Sequence, residues 1–195
     1  MPSTRRVLRF QPPAARAAGQ SNGLLYPLDV LYAQAGVAPP VVKKISRARV
    51  PPPYHGLLVH EDEMTLTLER YCGGRIAVRV LSSAVKGQSY FRRVLLVEES
   101  SARPLAMGAV RIRLDVLGAR NRAKILRQRE PLGRILRDGG IDFLSRPTAF
   151  FEVRPNAEMM GVFWMPESRT LYGRRTHVTL AGVRIGDIVE ILPLV

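Results

Sequence analysis

The stretch YFRRVLLVEESSARPLAMGAVRIRLDV, residues 90–116, decides the fold class. Two apolar runs, 90–98 and 104–116, flank the polar connection ESSAR. Runs rich in Val, Leu and Ile are typical of β-strands, and a connection of five residues suits a hairpin. We therefore expect the two runs to be antiparallel neighbours in one sheet.

Other segments extend this pattern. Alternation of apolar and polar residues predicts further strands at 75–81, 148–153, 169–180 and 183–194. Helical patterns occupy 24–35, 55–71, 119–127 and 131–136. A proline-bracketed run near residues 41–49 is a candidate edge strand. Strands grouped in hairpins, with helices inserted between the groups, indicate a single α+β domain with an antiparallel sheet of about six strands and helices packed on one side.

Composition limits the class of protein. The chain has 195 residues, 46% hydrophobic and 24% charged, which suits one globular core. We expect a basic, proline-rich and partly disordered N-terminal extension over 1–52 and the folded domain over 53–195. No apolar run approaches the roughly 20 residues of a membrane-spanning helix. Cys72 is the single cysteine, so neither an internal disulfide nor a cysteine metal cluster is expected, and a cytoplasmic setting fits.

The net charge of +14 raises the question of nucleic acid binding. Residues 1–50 hold eight Lys and Arg against one acid, Asp29. Aromatic residues make up only 7% of the chain and do not interleave with the basic ones, as stacking on bases would require. The pattern argues against nucleic acid as the partner, and a small dianionic metabolite explains a positive field equally well.

Motifs for the commoner kinds of catalysis are missing from the sequence. There is no Gly-rich dinucleotide or nucleotide loop and no Gly-x-Ser-x-Gly elbow. His55, His60 and His177 are not spaced as metal ligands, so we expect no catalytic metal. Cys72 is more typical of an inert thiol at a helix end than of a nucleophile.

Five short segments occur in a fixed order that is similar to one known family. They are LLVHEDEMT at 57–65, YFRRVLL at 90–96, PLGR at 131–134, YGRRT at 172–176 and VEILP at 189–193. Each is weak alone, but together they resemble the chorismate pyruvate-lyase family over roughly residues 55–194. The resemblance implies a cofactor-independent enzyme that releases pyruvate from chorismate and leaves 4-hydroxybenzoate. We expect a monomer or small homo-oligomer.

The resemblance also implies a binding site. Arg92 and the backbone amides of Met64 and Leu132 would hold the ring carboxylate, and Glu190 would contact the ring hydroxyl. Arg92 and Glu190 would be the catalytic residues. An arginine fork matches a carboxylate, and the first turn of a helix offers unpaired N–H groups to an anion.

Several alternatives stay open at this point. Arg174 or Arg175 would hold a second carboxylate, or both would lie on a solvated strand face. Glu190 would point outward instead if the last strand were shifted, and Asp187 would then take its place. The apolar insertion 154–170 would act as a lid over the site.

A non-catalytic domain of the same fold, binding an aromatic carboxylate, is the main alternative function. No helix-turn-helix pattern is evident in the first fifty residues, which argues against a complete transcriptional regulator.

Overall fold

A computed structural model describes residues 23–193 of the chain. Seven strands form one antiparallel sheet in the order β1-β5-β6-β7-β4-β3-β2. Their bounds are β1 Val41–Ile45, β2 Ile76–Lys86, β3 Ser89–Glu98, β4 Pro104–Arg113, β5 Phe143–Arg154, β6 Leu171–Leu180 and β7 Val183–Leu192. The prediction of a single α+β domain with an antiparallel sheet is therefore confirmed. The sheet has seven strands where about six were expected, because Val41–Ile45 adds an edge strand beside β5.

Six α-helices occur within the described residues, with a short 3-10 helix at Arg47–Arg49. They are α1 Leu28–Ala35, α2 Tyr54–Leu58, α3 Met64–Cys72, α4 Ala119–Arg127, α5 Leu132–Asp138 and α6 Ala157–Val162. The sequence predicted helices on one side of the sheet only. Instead α2 to α5 cover one face, and α1 and α6 cover the other, where Leu28, Tyr32 and Met159 join one core cluster. Both faces of the central strands carry apolar side chains, so both need a cover.

The segment before residue 53 contributes to this core. Leu25, Leu28 and Tyr32 are fully buried, and β1 pairs in register with β5. The sequence had assigned this segment to an extension outside the domain. Residues 1–22, the rest of that extension, lie outside the described residues.

The last two strands form the hairpin that the sequence predicts. Ala181 and Gly182 both have positive φ, 47° and 79°, as a two-residue hairpin turn requires. The turn pairs Leu180 with Val183, and a one-residue register shift between Val178 and Thr179 then brings Arg174 on β6 directly opposite Glu190 on β7. Directly opposed residues share one face of the sheet.

No helix in the described part of the chain is long and apolar enough to cross a membrane. Residues 23–193 also hold no group of three His, Cys, Asp or Glu side chains arranged to bind a metal ion.

Candidate functional site

A cavity lies between the sheet and the first turns of α3 and α5. Its volume is about 60 Å³, and it is partly open to solvent. Its walls are mostly apolar, formed by Val78, Val94, Leu96, Val110, Leu136 and Ile188. Its polar lining is formed by Glu63, Thr65, Arg92, Ser145 and Glu190. A small number of polar groups in an apolar cavity is typical of a site for a small molecule.

Arg92 is the dominant charge of this cavity. Its side chain projects from β3, and only 2% of the residue is exposed. Nη1 donates a hydrogen bond to the backbone oxygen of Glu130 at 3.2 Å, but no carboxylate of the described residues lies within 4.0 Å of the guanidinium. Burial lowers the pKa of Arg92, which expresses the cost of desolvating its charge. A buried guanidinium without an anionic partner is expensive unless a ligand supplies the anion.

The neighbouring residue shows why Arg92 faces the cavity. Side chains alternate along a strand, so Arg93 points to the opposite face of the sheet. There its Nη1 lies 2.5 Å from Oε2 of Glu158 on α6, and its guanidinium lies 4.8 Å from the ring centre of Tyr32. Arg93 thus has an internal anion, whereas Arg92 has none.

Two helices begin at the cavity. Met64 is the first residue of α3 and Leu132 the first residue of α5, and both line the cavity. Backbone N–H groups in a first helical turn have no acceptor within the helix and favour an anion. Met64 and Leu132, which the family resemblance assigned to the site, therefore lie at the same cavity as Arg92.

A carboxylate already lies beside these helix starts. Glu63 accepts two hydrogen bonds from Arg137 Nη1, at 3.0 and 3.1 Å. It packs so closely on Gly133 that a Cβ there would come within 2.3 Å of the Glu63 carboxylate. Burial raises the pKa of Glu63, and the positive charge of Arg137 opposes that rise. Glu63 is not among the site residues that the sequence predicts, although it immediately precedes Met64 in a matched segment.

Glu190 lines the cavity as half of a buried ion pair. Arg174 Nε donates to Glu190 Oε2 at 2.6 Å, and Arg174 is only 1% exposed. Arg174 Nη1 also donates to the backbone oxygens of Leu58 and His60, at 3.2 and 3.0 Å. Burial, reinforced by the charge of Arg174, lowers the pKa of His60. Arg174 therefore connects β6 to the α2–α3 connection and holds the Glu190 carboxylate in place.

Four of the six predicted site residues thus meet at one cavity: Met64, Arg92, Leu132 and Glu190. Arg174 stands behind Glu190 with its guanidinium committed to protein acceptors. Arg175 and Asp187 lie on the opposite face, 3.6 Å apart between Nη2 and Oδ1. The terminal strand accordingly carries Glu190, and not Asp187, on the cavity face.

The insertion 154–170 does not cover the cavity. Its helix α6 packs on the opposite face, where Met159 and Phe163 are buried with α1. The expected lid is therefore a part of the second core layer. Apolar residues in an insertion serve either role, and the sequence carried no signal to separate them.

The architecture defines the chain as a domain of the chorismate lyase-like fold. No protein-family model and no curated protein sequence matches it. Among solved structures, the possible transcriptional regulator YydK from Bacillus subtilis aligns with a TM-score of 0.51 at 10% identity, over 71% of this chain and 64% of that chain. PhnF from Mycobacterium smegmatis aligns with a TM-score of 0.50 at 10% identity, over 69% and 64% of the two chains.

The gene product SA0254 of Staphylococcus aureus gives a TM-score of 0.50 at 7% identity, over 70% of this chain and 90% of that chain. This chain spans a little under two thirds of YydK and of PhnF, which each extend beyond the shared fold. At such low identity the likeness establishes the fold.

These comparisons correct the function predicted from the sequence. YydK, which aligns with a TM-score of 0.51, is described as a possible transcriptional regulator and not as a lyase. The prediction of a chorismate pyruvate-lyase is therefore wrong, and so is the prediction of an enzyme with chorismate as substrate. The geometry gives a physical reason. Neither arginine that was to hold the second carboxylate offers a free guanidinium to the cavity, since Arg174 is bonded to Glu190 and Arg175 lies on the other face.

Proposed function

We propose that this protein is a non-catalytic binding domain for a small organic carboxylate with an apolar body. The observation that carries the proposal is Arg92, a guanidinium that is 2% exposed, lines an apolar cavity and has no carboxylate within 4.0 Å among the described residues. A ligand carboxylate would supply the missing anion through charge-assisted hydrogen bonds, which are among the strongest that proteins make.

The neighbouring helix starts support an anion at this position. Met64 and Leu132, the first residues of α3 and α5, line the same space, and N–H groups in a first helical turn have no acceptor within their helix. The ligand carboxylate would therefore lie between a side-chain fork and two sets of backbone donors. Such a combination favours a planar carboxylate over a neutral amide of the same shape.

The spacing across the sheet supports a compact ligand. Arg92 on β3 and Glu190 on β7 are separated by β4 and offset by two residues along the strands, so their backbones lie about 12 Å apart. Gly108 on β4 pairs with Glu190 and has no side chain to fill the gap between them. Glu190 would accept a hydrogen bond from a hydroxyl or N–H group at the far end of a ring-sized ligand.

We further propose that the domain senses the level of its carboxylate ligand. YydK, which shares the fold, is described as a possible transcriptional regulator, and a domain that binds a metabolite without converting it suits such a role. The single cysteine suits a reducing, cytoplasmic setting, which is the location we propose.

The test is calorimetric titration of the purified protein with benzoate and with benzamide, its neutral analogue. We expect saturable binding of benzoate, much weaker binding of benzamide, and loss of benzoate binding in Arg92→Gln. Arg79→Gln is the matched control, because it removes the same charge from an exposed position on β2, on the face of the sheet opposite the cavity. Equal binding of the two probes, or unchanged benzoate binding in Arg92→Gln, would refute the proposal.

A further inference from the structure

A second charged site lies on the face of the sheet opposite the cavity. Asp187 on β7 is at its centre, with a side chain only 2% exposed. Oδ2 lies 3.5 Å from Arg111 Nη1, and Oδ1 lies 3.6 Å from Arg175 Nη2 and from His177 Nε2. Arg184 also pairs with Oδ1 through Nη2. We call these five residues the Asp187 cluster.

The cluster carries more positive charge than its carboxylate can neutralise. Its three arginines face one aspartate, which leaves an excess of two. Burial, followed by the charges of Arg184 and Arg175, lowers the pKa of His177, so its ring is neutral near pH 7. Burial, then Arg175 and Arg111, also lowers the pKa of Arg184. The arginines therefore repel one another across a shared acceptor.

The surroundings do not remove this excess. Arg146 lies directly opposite His177 on β5 and adds one positive charge. Asp29 on α1 interacts with Arg175 and adds one negative charge, so the two cancel. Residues 1–22 contain four arginines and no acid, so that segment cannot supply a carboxylate.

Acceptors are scarce within the cluster, and its cations are within reach of solvent. Arg175 Nε and His177 Nε2 have no hydrogen-bond acceptor in the described structure. Arg111 is held in position by Ser89 Oγ, at 3.0 and 3.2 Å from its Nη2 and Nε. The arginine side chains are 21% to 43% exposed. Guanidinium groups fixed by a buried carboxylate, with donors left over, form a ready fork for an oxyanion.

We propose that the Asp187 cluster binds the doubly charged phosphoryl group of a small molecule, at a site separate from the cavity. Two uncompensated guanidinium charges match one phosphate dianion. The cluster occupies neighbouring positions on three adjacent strands, which is the footprint of one phosphoryl group and not of an extended polyanion. The proposal does not depend on what the cavity binds.

The experiment is calorimetric titration of the full chain with inorganic phosphate at about pH 8, where phosphate is a dianion. We expect saturable binding that weakens at least tenfold in Arg184→Gln and in Arg175→Gln. Arg184 is the safer variant for folding, because its side chain is 43% exposed. Arg79→Gln, with the same loss of charge outside the cluster, should bind phosphate like the wild type.

Two crossed measurements make the result decisive. Arg92→Gln should keep phosphate binding, and Arg184→Gln should keep benzoate binding, because the two sites lie on opposite faces. Loss of phosphate binding in Arg92→Gln with retention in Arg184→Gln would overturn the proposal. Displacement of phosphate by a short DNA duplex, with a steep dependence on salt, would also overturn it by assigning the cluster to a nucleic acid backbone.

Discussion

Arg174→Met tests whether Arg174 is a structural support for Glu190. The substitution keeps much of the side-chain volume but removes the guanidinium that donates to Glu190 Oε2 at 2.6 Å and to two backbone oxygens at 3.0 and 3.2 Å. Glu190, 7% exposed, would keep its charge without a partner. Removing one half of a buried ion pair costs about 3–5 kcal/mol. For a domain of this size that corresponds to a fall in Tm of roughly 6–20 °C.

The assay is urea denaturation of four proteins: the wild type, Arg174→Met, Glu190→Met and the double variant. Removing both partners leaves no buried charge, so we expect the double variant to be more stable than Arg174→Met, with a coupling energy of about 2 kcal/mol or more. A loss below about 1 kcal/mol in Arg174→Met, or additive effects in the double variant, would refute the support role.

Four further substitutions test the carboxylate site, the pH dependence and the packing of the fold. Glu63→Gln removes a negative charge beside the helix starts, so benzoate affinity should rise about fivefold, as about 1 kcal/mol of repulsion implies; unchanged or weaker binding would contradict this. Burial lowers the folded-state pKa of His177, so the unfolded chain takes up a proton first and the free energy of unfolding falls as the pH drops below about 6.5. His177→Gln should lessen that fall between pH 7.5 and 5.5, measured by urea denaturation. An equal fall in the variant and the wild type would contradict this. Gly173→Ala would place a Cβ within 2.7 Å of a backbone oxygen on the neighbouring strand and should cost about 2 kcal/mol or more, whereas Gly56→Ala, in open space within α2, should stabilise by about 0.5–1 kcal/mol.

Local sequence patterns predicted most of the elements. Residues 119–127 coincide with α4, and both predicted hairpins exist with small changes at their ends. Strand β5 was expected only from residue 148, but it begins at Phe143. In the sheet, Pro147 lies at a register shift between β5 and β6, where proline is tolerated.

Side-chain alternation along a strand predicted which face of the sheet some candidate residues occupy, but it did not predict the partners of others. Adjacent arginines on a strand must face opposite ways, so Arg92 and Arg93 differ in role by geometry alone. The hydrogen bonds of the Arg174 guanidinium depend on the register between β6 and β7 and on backbone oxygens near the α2–α3 connection. Those oxygens are over a hundred residues away in sequence. The Asp187 cluster likewise requires the order β6-β7-β4, which no local pattern specifies.

The position of a bound carboxylate shows whether Arg92 is its anchor. A crystal structure with 4-bromobenzoate would place the ligand by the anomalous signal of bromine. The account predicts that the ligand lies in the cavity, with its carboxylate oxygens about 3 Å from the Arg92 guanidinium and its ring against Val94 and Val110. A ligand on the opposite face of the sheet, or in the cavity with its carboxylate directed away from Arg92, would contradict the account.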